Sequence, residues 1–416
     1  MEPIKAIRGM NDILPSETLL WQQIEATMRQ TIQSFGYQEI RFPIVEKTEL
    51  FKRSIGDTTD IVTKEMYTFL DRNEESLTLR PEGTAVCVRA GIEHGLFYNQ
   101  IQRLWYLGPY FRYERPQKGR SRQFHHCGAE IFGLNTPDAD AELILLSASI
   151  LQKLGLIPWV TLQINSLGSP ASRLSYRQQL VEYFTQHEAD LDEESRVRLV
   201  HNPLRILDSK NPDLAALIEK APSLLNYLDD ESKIHFEKLQ TYLTTLGIVF
   251  TVNPRLVRGL DYYTKTVFEW VTHALGSQGT VCAGGRYDNL TEQLGGKPTP
   301  ALGFAFGMER TVLLAQETQP MMTKSEPSIY FMIADEEALA KAFLLANQLR
   351  DAGWKVFTHC GGGSLKNQFK KADKSGATIG LILAEEEFKA ETITIKWLRE
   401  DKPQITVLQK ELMNYL

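Results

Sequence analysis

Gly108-Pro109-Tyr110-Phe111-Arg112-Tyr113-Glu114-Arg115-Pro116-Gln117-Lys118-Gly119-Arg120-Ser121-Arg122-Gln123-Phe124-His125 is the stretch from which the fold is read. It begins as an aromatic strand, breaks at Pro116 and Gly119, and returns through Gln123 and Phe124 towards Glu130. Residues two apart on a strand point the same way, so the first strand is expected to carry Arg112 and Glu114 on one face. Five cations (Arg112, Arg115, Lys118, Arg120, Arg122) stand in this run against one anion, Glu114. A solvated surface loop accounts for charges alone. It has no need of the interleaved Tyr110, Phe111, Tyr113 and Phe124, which tilt the reading towards anion binding beside a buried sheet. Arginine suits phosphate because its planar fork holds two oxygens at once.

Working outward, residues 77–80, 101–114 and 123–133 read as strands rich in Leu, Ile, Tyr, Trp and Phe. Residues 16–35 read as an amphipathic helix capped by Ser16 and closed by Gly36, and Tyr37–Pro43 as a strand. Thr136-Pro137-Asp138-Ala139-Asp140 opens a helix that ends near Lys153. Residues 170 to about 247 turn polar and helix-patterned, with Pro203, Pro212 and Pro222, which predicts an inserted helical module. Strand character returns at Ile248–Val252, Thr264–Val271 and Gly279–Ala283, and Ala301–Phe306 joins a helix start through Gly307. Ala315–Pro327 reads as a linker. Beyond it strands at 328–333, 354–358, 377–383 and 392–397 alternate with helices at 335–352 and about 364–375, the pattern of a small α/β domain.

Bulk properties bound the function. With 416 residues the chain exceeds one ordinary core. Its 43% hydrophobic and 24% charged residues are those of a globular protein, and neither a membrane span nor a secretory leader is expected. Four scattered cysteines (Cys87, Cys127, Cys282, Cys360) predict a reduced, cytoplasmic setting without a disulfide framework or zinc site. A net charge of −6 argues against a protein that coats nucleic acid indiscriminately, but leaves local basic patches open.

Four further segments carry chemistry. Arg80-Pro81-Glu82-Gly83-Thr84 sets a carboxylate and a hydroxyl two residues apart, suited to a ligand ammonium; taken alone, an ordinary Pro-Glu-Gly turn is the commoner reading. Leu256-Val257-Arg258-Gly259-Leu260-Asp261-Tyr262-Tyr263-Thr264 packs a cation, a glycine turn and two phenols together. Cys282-Ala283-Gly284-Gly285-Arg286-Tyr287-Asp288 adds paired glycines that let backbone approach a flat ligand. Gly307-Met308-Glu309-Arg310 sets an arginine at a strand-to-helix junction, where a plain surface arginine is an equal reading.

Together these segments resemble the histidine–tRNA ligases, a class II aminoacyl-tRNA synthetase family, over essentially the whole chain. The segment at Phe42-Pro43 looks like motif 1, the basic hairpin like motif 2 and Gly-Met-Glu-Arg like motif 3. The Leu-Val-Arg-Gly-Leu-Asp-Tyr-Tyr and Ala-Gly-Gly-Arg-Tyr-Asp segments are similar to the two blocks peculiar to the histidine enzymes. The resemblance implies a multidomain α/β (α+β) fold: an antiparallel class II sheet with flanking helices over 1–326, interrupted by the helical module at about 170–247, then an anticodon-binding domain over 327–416. It also implies a homodimer.

It further implies that ATP activates L-histidine and that the histidyl group passes to the 3′ end of tRNA(His). Arg112 would hold the α-phosphate and substrate carboxylate, with Arg258 facing that phosphate from the other side. Arg310, Arg120 and Arg122 would cover the β- and γ-phosphates with Mg²⁺, and Glu114 would touch the adenine end. Glu82 and Thr84 would take the α-amino group, Glu130 and Tyr263 the imidazole nitrogens, and Tyr262 and Tyr287 would shape the pocket. A site that bonds both ring nitrogens discriminates by roughly 10⁴–10⁵ in analogous cases, so no editing module is required. Where the family usually has Gln after Arg-Gln-Phe-His, this chain has His126, which retains one nitrogen able to bond the ligand. Gln117 and Lys118 would meet the tRNA acceptor end. Lys366 and Lys370, with Lys371 and Lys374, would serve the anticodon, although a solvated helix face explains those lysines equally well.

Two rivals remain open on the residues alone. One is a catalytically inactive synthetase-like regulatory subunit of histidine biosynthesis, a family that lacks the C-terminal domain. The other is a sensor of uncharged tRNA, a module normally joined to a kinase.

Overall fold

A computed structural model describes residues 2–416 except 57–58, 210, 277–278 and 319–327, and of residue 208 the backbone alone. The chain divides into two compact units, Met1–Met322 and Thr323–Leu416.

The first unit is built on an eight-stranded sheet. Its strands lie in the order β1 (Gln38–Glu39), β5 (Gln102–Phe111), β6 (Gln123–Phe132), β11 (Ala301–Gly307), β10 (Thr280–Arg286), β9 (Thr264–Val271), β7 (Thr161–Ser166) and β8 (Phe250–Val252). Only the outermost pairs, β1 with β5 and β7 with β8, run parallel. A small sheet of β2 (Val45–Lys47), β4 (Ser76–Leu79) and β3 (Tyr67–Leu70) stands beside it. The basic run supplies the central hairpin: β5 and β6 pair from Gln102↔Phe132 to Phe111↔Gln123.

Strand period sorts the side chains onto two faces. Trp105, Ile131, Phe268, Phe304 and Phe306 join one cluster, covered by α1 (Pro15–Ser34), α4 (Pro137–Lys153), α8 (Asp230–Thr245) and α10 (Met308–Thr318). Their neighbours Tyr106, Tyr110 and Phe132 face the other cluster, which also holds Tyr262, Tyr263 and Tyr287. The site lies on that second, aromatic and polar face.

Several expectations are corrected here. The first strand of the hairpin stops at Phe111, not at 114, because Arg122 N–H turns to the Gly9 carbonyl and Tyr113 N–H to that of Glu65. The strand expected over 37–43 shrinks to two residues, since Pro43 has no N–H and the carbonyls of Phe42 and Pro43 accept from Arg80 instead. Leu14 rather than Ser16 caps α1, with Pro15 in the first turn. Of the linker expected at Ala315–Pro327, Ala315 is buried and α10 runs through to Thr318, while 319–327 lie outside the described residues.

The stretch from residue 170 is helical as expected, with α5 (Pro170–Gln186), α6 (Glu193–His201), α7 (Ala215–Lys220) and short 3-10 turns. Its last helix, α8, is not peripheral. Phe236, Leu239 and Leu243 enter the main core beside Trp270.

The second unit holds a five-stranded mixed sheet in the order β13 (Lys355–Thr358), β12 (Ser328–Ile333), β14 (Ile379–Leu383), β15 (Thr392–Trp397), β16 (Ile405–Leu408), with α11 (Leu339–Asp351), α12 (Leu365–Lys374) and α13 (Glu385–Lys389). Among the described residues no helix is long and apolar enough to cross a membrane.

Candidate active site

A cavity of about 710 Å³ opens on the aromatic face of the large sheet. Arginines from three distant segments line it: Arg112 just past β5, Arg258 in the loop before β9, and Arg310 in the first turn of α10. Each is aimed by a bond on its inner side. Arg112 Nε donates to the Pro81 carbonyl at 2.9 Å. Arg258 is ion-paired with Glu269 on β9 and stands over the Tyr263 ring at 5.7 Å. Arg310 donates to the carbonyls of Gly119 (3.0 Å) and Thr280 (2.8 Å).

Their environments tune them differently. Burial pulls Arg310 down to about 10, and Arg120 and Arg112 push the same way. Burial, the largest single influence, also lowers Arg258, but Glu269 together with Tyr263 and Tyr262 outweighs it and holds that guanidinium above its ordinary value. Arg258 is thus a permanent cation, and Glu269 is itself oriented by Thr280, whose hydroxyl donates at 3.0 Å.

Behind the cavity wall lies a polar chamber. Glu130 on β6 is fully buried; its carboxylate accepts from the hydroxyls of Tyr106 (2.8 Å), Thr84 (2.9 Å) and Tyr287 (2.5 Å). Burial outweighs those three donors and pushes the carboxyl up to about 8. Gly303, paired with Glu130 across β6 and β11, makes the chamber possible: a Cβ there would stand 1.5 Å from the Glu130 carboxylate. Thr84, Tyr106, Tyr262 and Tyr263 reach the cavity, whereas Glu130 and Tyr287 sit one layer back. The rings of Tyr262 and Tyr263 lie 4.8 Å apart, and those of Tyr262 and Tyr287 5.6 Å.

Glu82 does two things at once. It lines the cavity, and it accepts the N–H groups of Thr84 and Ala85, both at 2.7 Å, at the start of α3 (Thr84–Glu93). The turn reading of Pro-Glu-Gly and the ligand reading are therefore compatible. Glu114 also lines the cavity, ion-paired with Arg120 and 3.9 Å from Arg112.

Other residues of the basic hairpin fall elsewhere. Arg122, expected over the phosphates, lies with its guanidinium 3.7 Å from the centre of the Tyr113 ring and donates to the Glu114 carbonyl, away from the cavity wall. Gln117 closes a tight backbone turn with Arg120, and Lys118 pairs with Glu317 at 2.7 Å; neither lines the cavity. His126 does line it, packed against Phe124 (4.9 Å) and Tyr110 (5.1 Å). Burial, with Arg112 and Arg310 nearby, holds its imidazole well below the ordinary range and therefore neutral.

Sequence reasoning missed Tyr106, Glu269 and Glu309. Strand alternation places Tyr106 on the same face as Tyr110, a usable signal. Nothing in the sequence pairs Glu269 with Arg258. Glu309 accepts from the N–H and ring of His125 and sets the turn next to Arg310. Arg286, by contrast, is structural: fully buried, it pairs with Asp140 at 2.7 Å and Asp288 at 3.0 Å, and donates to the carbonyls of Leu134 and Thr136. In the second unit Lys366, Lys370, Lys371 and Lys374 are exposed along α12.

Comparison with known proteins bears on what such a site does. Residues 9–311 match the family model described as histidyl-tRNA synthetase, and residues 322–416 that of an anticodon binding domain. The crystal structure of apo histidyl-tRNA synthetase from S. aureus is 35% identical, with 99% of each chain covered and a TM-score of 0.82. Two more distant structures agree in fold. One is histidyl-tRNA synthetase from Nostoc sp. PCC 7120, 20% identical over 99% of each chain with a TM-score of 0.70. The other, described as an ATP phosphoribosyltransferase regulatory subunit/histidyl-tRNA synthetase, comes from Bacillus halodurans C. It is 24% identical over 92% of this chain and 99% of that one, with a TM-score of 0.68.

Proposed function

Because the chain belongs to the histidyl-tRNA synthetase family, we propose that the cavity walled by Arg112, Arg258 and Arg310 is where histidine and ATP are joined. The chain is a histidine–tRNA ligase, and the regulatory-subunit alternative is not favoured, since both the synthetase and the anticodon-binding models match. The observation that carries the placement is the convergence of three arginines from separate segments on one cavity backed by a buried polar chamber.

The histidine carboxylate attacks the α-phosphorus of ATP, a P–O bond forms as the bond to the bridging oxygen breaks, and pyrophosphate leaves. The ribose hydroxyl at the tRNA 3′ end then attacks the carbonyl of the adenylate, an ester bond forms as the hydroxyl proton passes to the departing phosphate, and AMP leaves. Arg112 would hold the α-phosphate and the carboxylate together, with Arg258 opposite as a fixed positive charge where the transition state gathers negative charge. Arg310 and Arg120 would cover the outer phosphates once Arg120 leaves Glu114, which frees that carboxylate for the adenine end. Two fixed arginines and a bound carboxylate also remove the entropy cost of bringing the reactants together.

On the amino-acid side, Glu82 and Thr84 would take the ammonium and Tyr263 one imidazole nitrogen. Glu130 would act from one layer back: hydroxyls of Thr84 and Tyr106 that donate to it turn their lone pairs towards the ligand. Tyr262 and Tyr287 would shape the pocket, and neutral His126 would offer one ring nitrogen to the amino acid.

Mg²⁺ would come with the nucleotide. Glu309, the carboxylate next to Arg310, is already bonded to His125, and among the described residues no three acidic, histidine or cysteine side chains cluster to cage an ion. That donor set fits a metal held mainly by phosphate oxygens and water, and the ion would add to the neutralisation of phosphate charge. Gln117 and Lys118 would meet the acceptor end of tRNA(His), and Lys366 and Lys370 the anticodon, whose unstacked bases can be read by stacking and hydrogen bonds. A cytoplasmic homodimer is the assembly this reading favours.

The test is ATP–pyrophosphate exchange by the purified protein with each proteinogenic amino acid in turn, followed by charging of tRNA(His). Exchange with histidine alone is expected. Exchange driven by another amino acid, or by none, contradicts the reading.

A further inference from the structure

The loop between β8 and β9 carries Arg258, Tyr262 and Tyr263, yet between Leu256 and Thr264 it has no strand partner of its own. Its ends are tied to the large sheet's own unit: Asn165 on β7 donates to the Leu256 carbonyl at 3.0 Å, and Asp261 N–H reaches the Ile55 carbonyl at 3.3 Å. Beside those ties the loop is held by three further side chains, of which Arg205 also lines the cavity. The Gly259 carbonyl accepts from Arg205 Nη2 at 2.8 Å. The Tyr263 carbonyl accepts from Arg173 Nη1 at 2.7 Å, and the same nitrogen lies 3.4 Å from the Asp261 carbonyl. The Asp261 carboxylate accepts from Asn202 Nδ2 at 3.2 Å.

Residues 259, 261 and 263 lie in a run of bends and turns, and each of these side-chain donors comes from the inserted helical module. Arg173 is on α5, Asn202 closes α6, and Arg205 sits in the 3-10 turn Pro203–Asp208. The approach is close: a Cβ on Gly259 would stand 3.2 Å from Arg205 Nη1, so a larger residue there would press on that guanidinium. A buried or half-buried carbonyl that loses its donor turns to water or another partner, and the loop turns with it.

We infer that Arg173 and Arg205 are positioning residues for histidine activation, holding the Arg258–Tyr263 loop so that the guanidinium and the phenol face their substrates. The module is then part of the amino-acid site's scaffold, and any movement of it moves that loop. This rests on the roles proposed above for Arg258 and Tyr263.

The test uses the full chain and exchange without tRNA, so that contacts between module and tRNA play no part. Arg173→Ala, Arg205→Ala, the double variant and Arg205→Lys are compared for histidine KM, ATP KM, kcat and thermal midpoint. The double variant is expected to raise histidine KM and lower kcat by about tenfold each, with ATP KM within about twofold, because only the held loop is displaced. Arg205→Lys keeps one donor and recovers most of the loss. An unchanged histidine KM overturns the inference. So does a loss in which ATP KM, histidine KM and the thermal midpoint all move together, the mark of a general support. Arg258→Ala in the same assay separates the two layers: full exchange there removes the loop's own role, whereas abolished exchange with silent Arg173 and Arg205 variants removes only the positioning role.

Discussion

Glu130 and Tyr287 share a 2.5 Å hydrogen bond in a chamber that solvent does not reach. Unfolded, this carboxyl ionises near 4.5; folded, burial moves it to about 8. Between those values the folded chain holds one more proton than the unfolded one, so Glu130 favours folding most at low pH and loses that advantage as pH rises towards 8. Glu130→Gln removes the titration and keeps the shape. Relative to wild type, the variant should gain stability between about pH 5 and pH 8, by several kcal/mol at most. Urea unfolding across that range measures it, and a stability gap that does not vary with pH contradicts the assignment.

Gly303→Ala tests the same chamber from the opposite strand. The new methyl would meet the Glu130 carboxylate, so strand or carboxylate must shift, at a cost of about 1–3 kcal/mol for an overpacked site. Histidine KM should rise with it while ATP KM stays near wild type, read by exchange kinetics. Equal stability and unchanged histidine KM would mean that the chamber is not coupled to the amino-acid pocket.

How much of this is legible in the sequence depends on the distance over which residues cooperate. Arg112, Arg258 and Arg310 stand in segments whose local chemistry is visible, and the basic hairpin between Gly108 and His125 reads as two strands and a loop, as the structure has it. The strand ends do not read, because Arg122 and Tyr113 spend their N–H groups on the carbonyls of Gly9 and Glu65, partners no local pattern announces. Arg286 and Arg258 look alike in sequence, each beside glycine and close to tyrosine. One ends β10 and is buried on Asp140, the other stands in the loop before β9 and opens to the cavity. Glu130, expected to bond the ligand directly, lies a layer deeper, since three hydroxyls from separate elements converge on it.

Arg286→Ala should therefore behave as a stability variant. Removing the guanidinium strands Asp140 in the interior, which typically costs about 3–5 kcal/mol. Denaturant unfolding would register the loss, and the residual folded protein should keep its histidine and ATP KM values. A selective change in either KM with normal stability would assign Arg286 to the ligand instead.

His126→Gln places an amide where a neutral imidazole packs on Phe124 and Tyr110. Both groups can bond a ligand through one atom, so histidine KM should change by less than about tenfold. Loss of adenylate formation would mean that the imidazole does something the amide cannot.

The most direct measurement is single-turnover formation of histidyl-adenylate, at saturating histidine and ATP, by the wild type and by Arg258→Ala. A fixed cation opposite the α-phosphate predicts rapid formation by the wild type and a fall of at least about 10²-fold in the variant, comparable to removing one preorganised donor from a transition state. A folded Arg258→Ala protein that forms the adenylate at the wild-type rate would contradict the account.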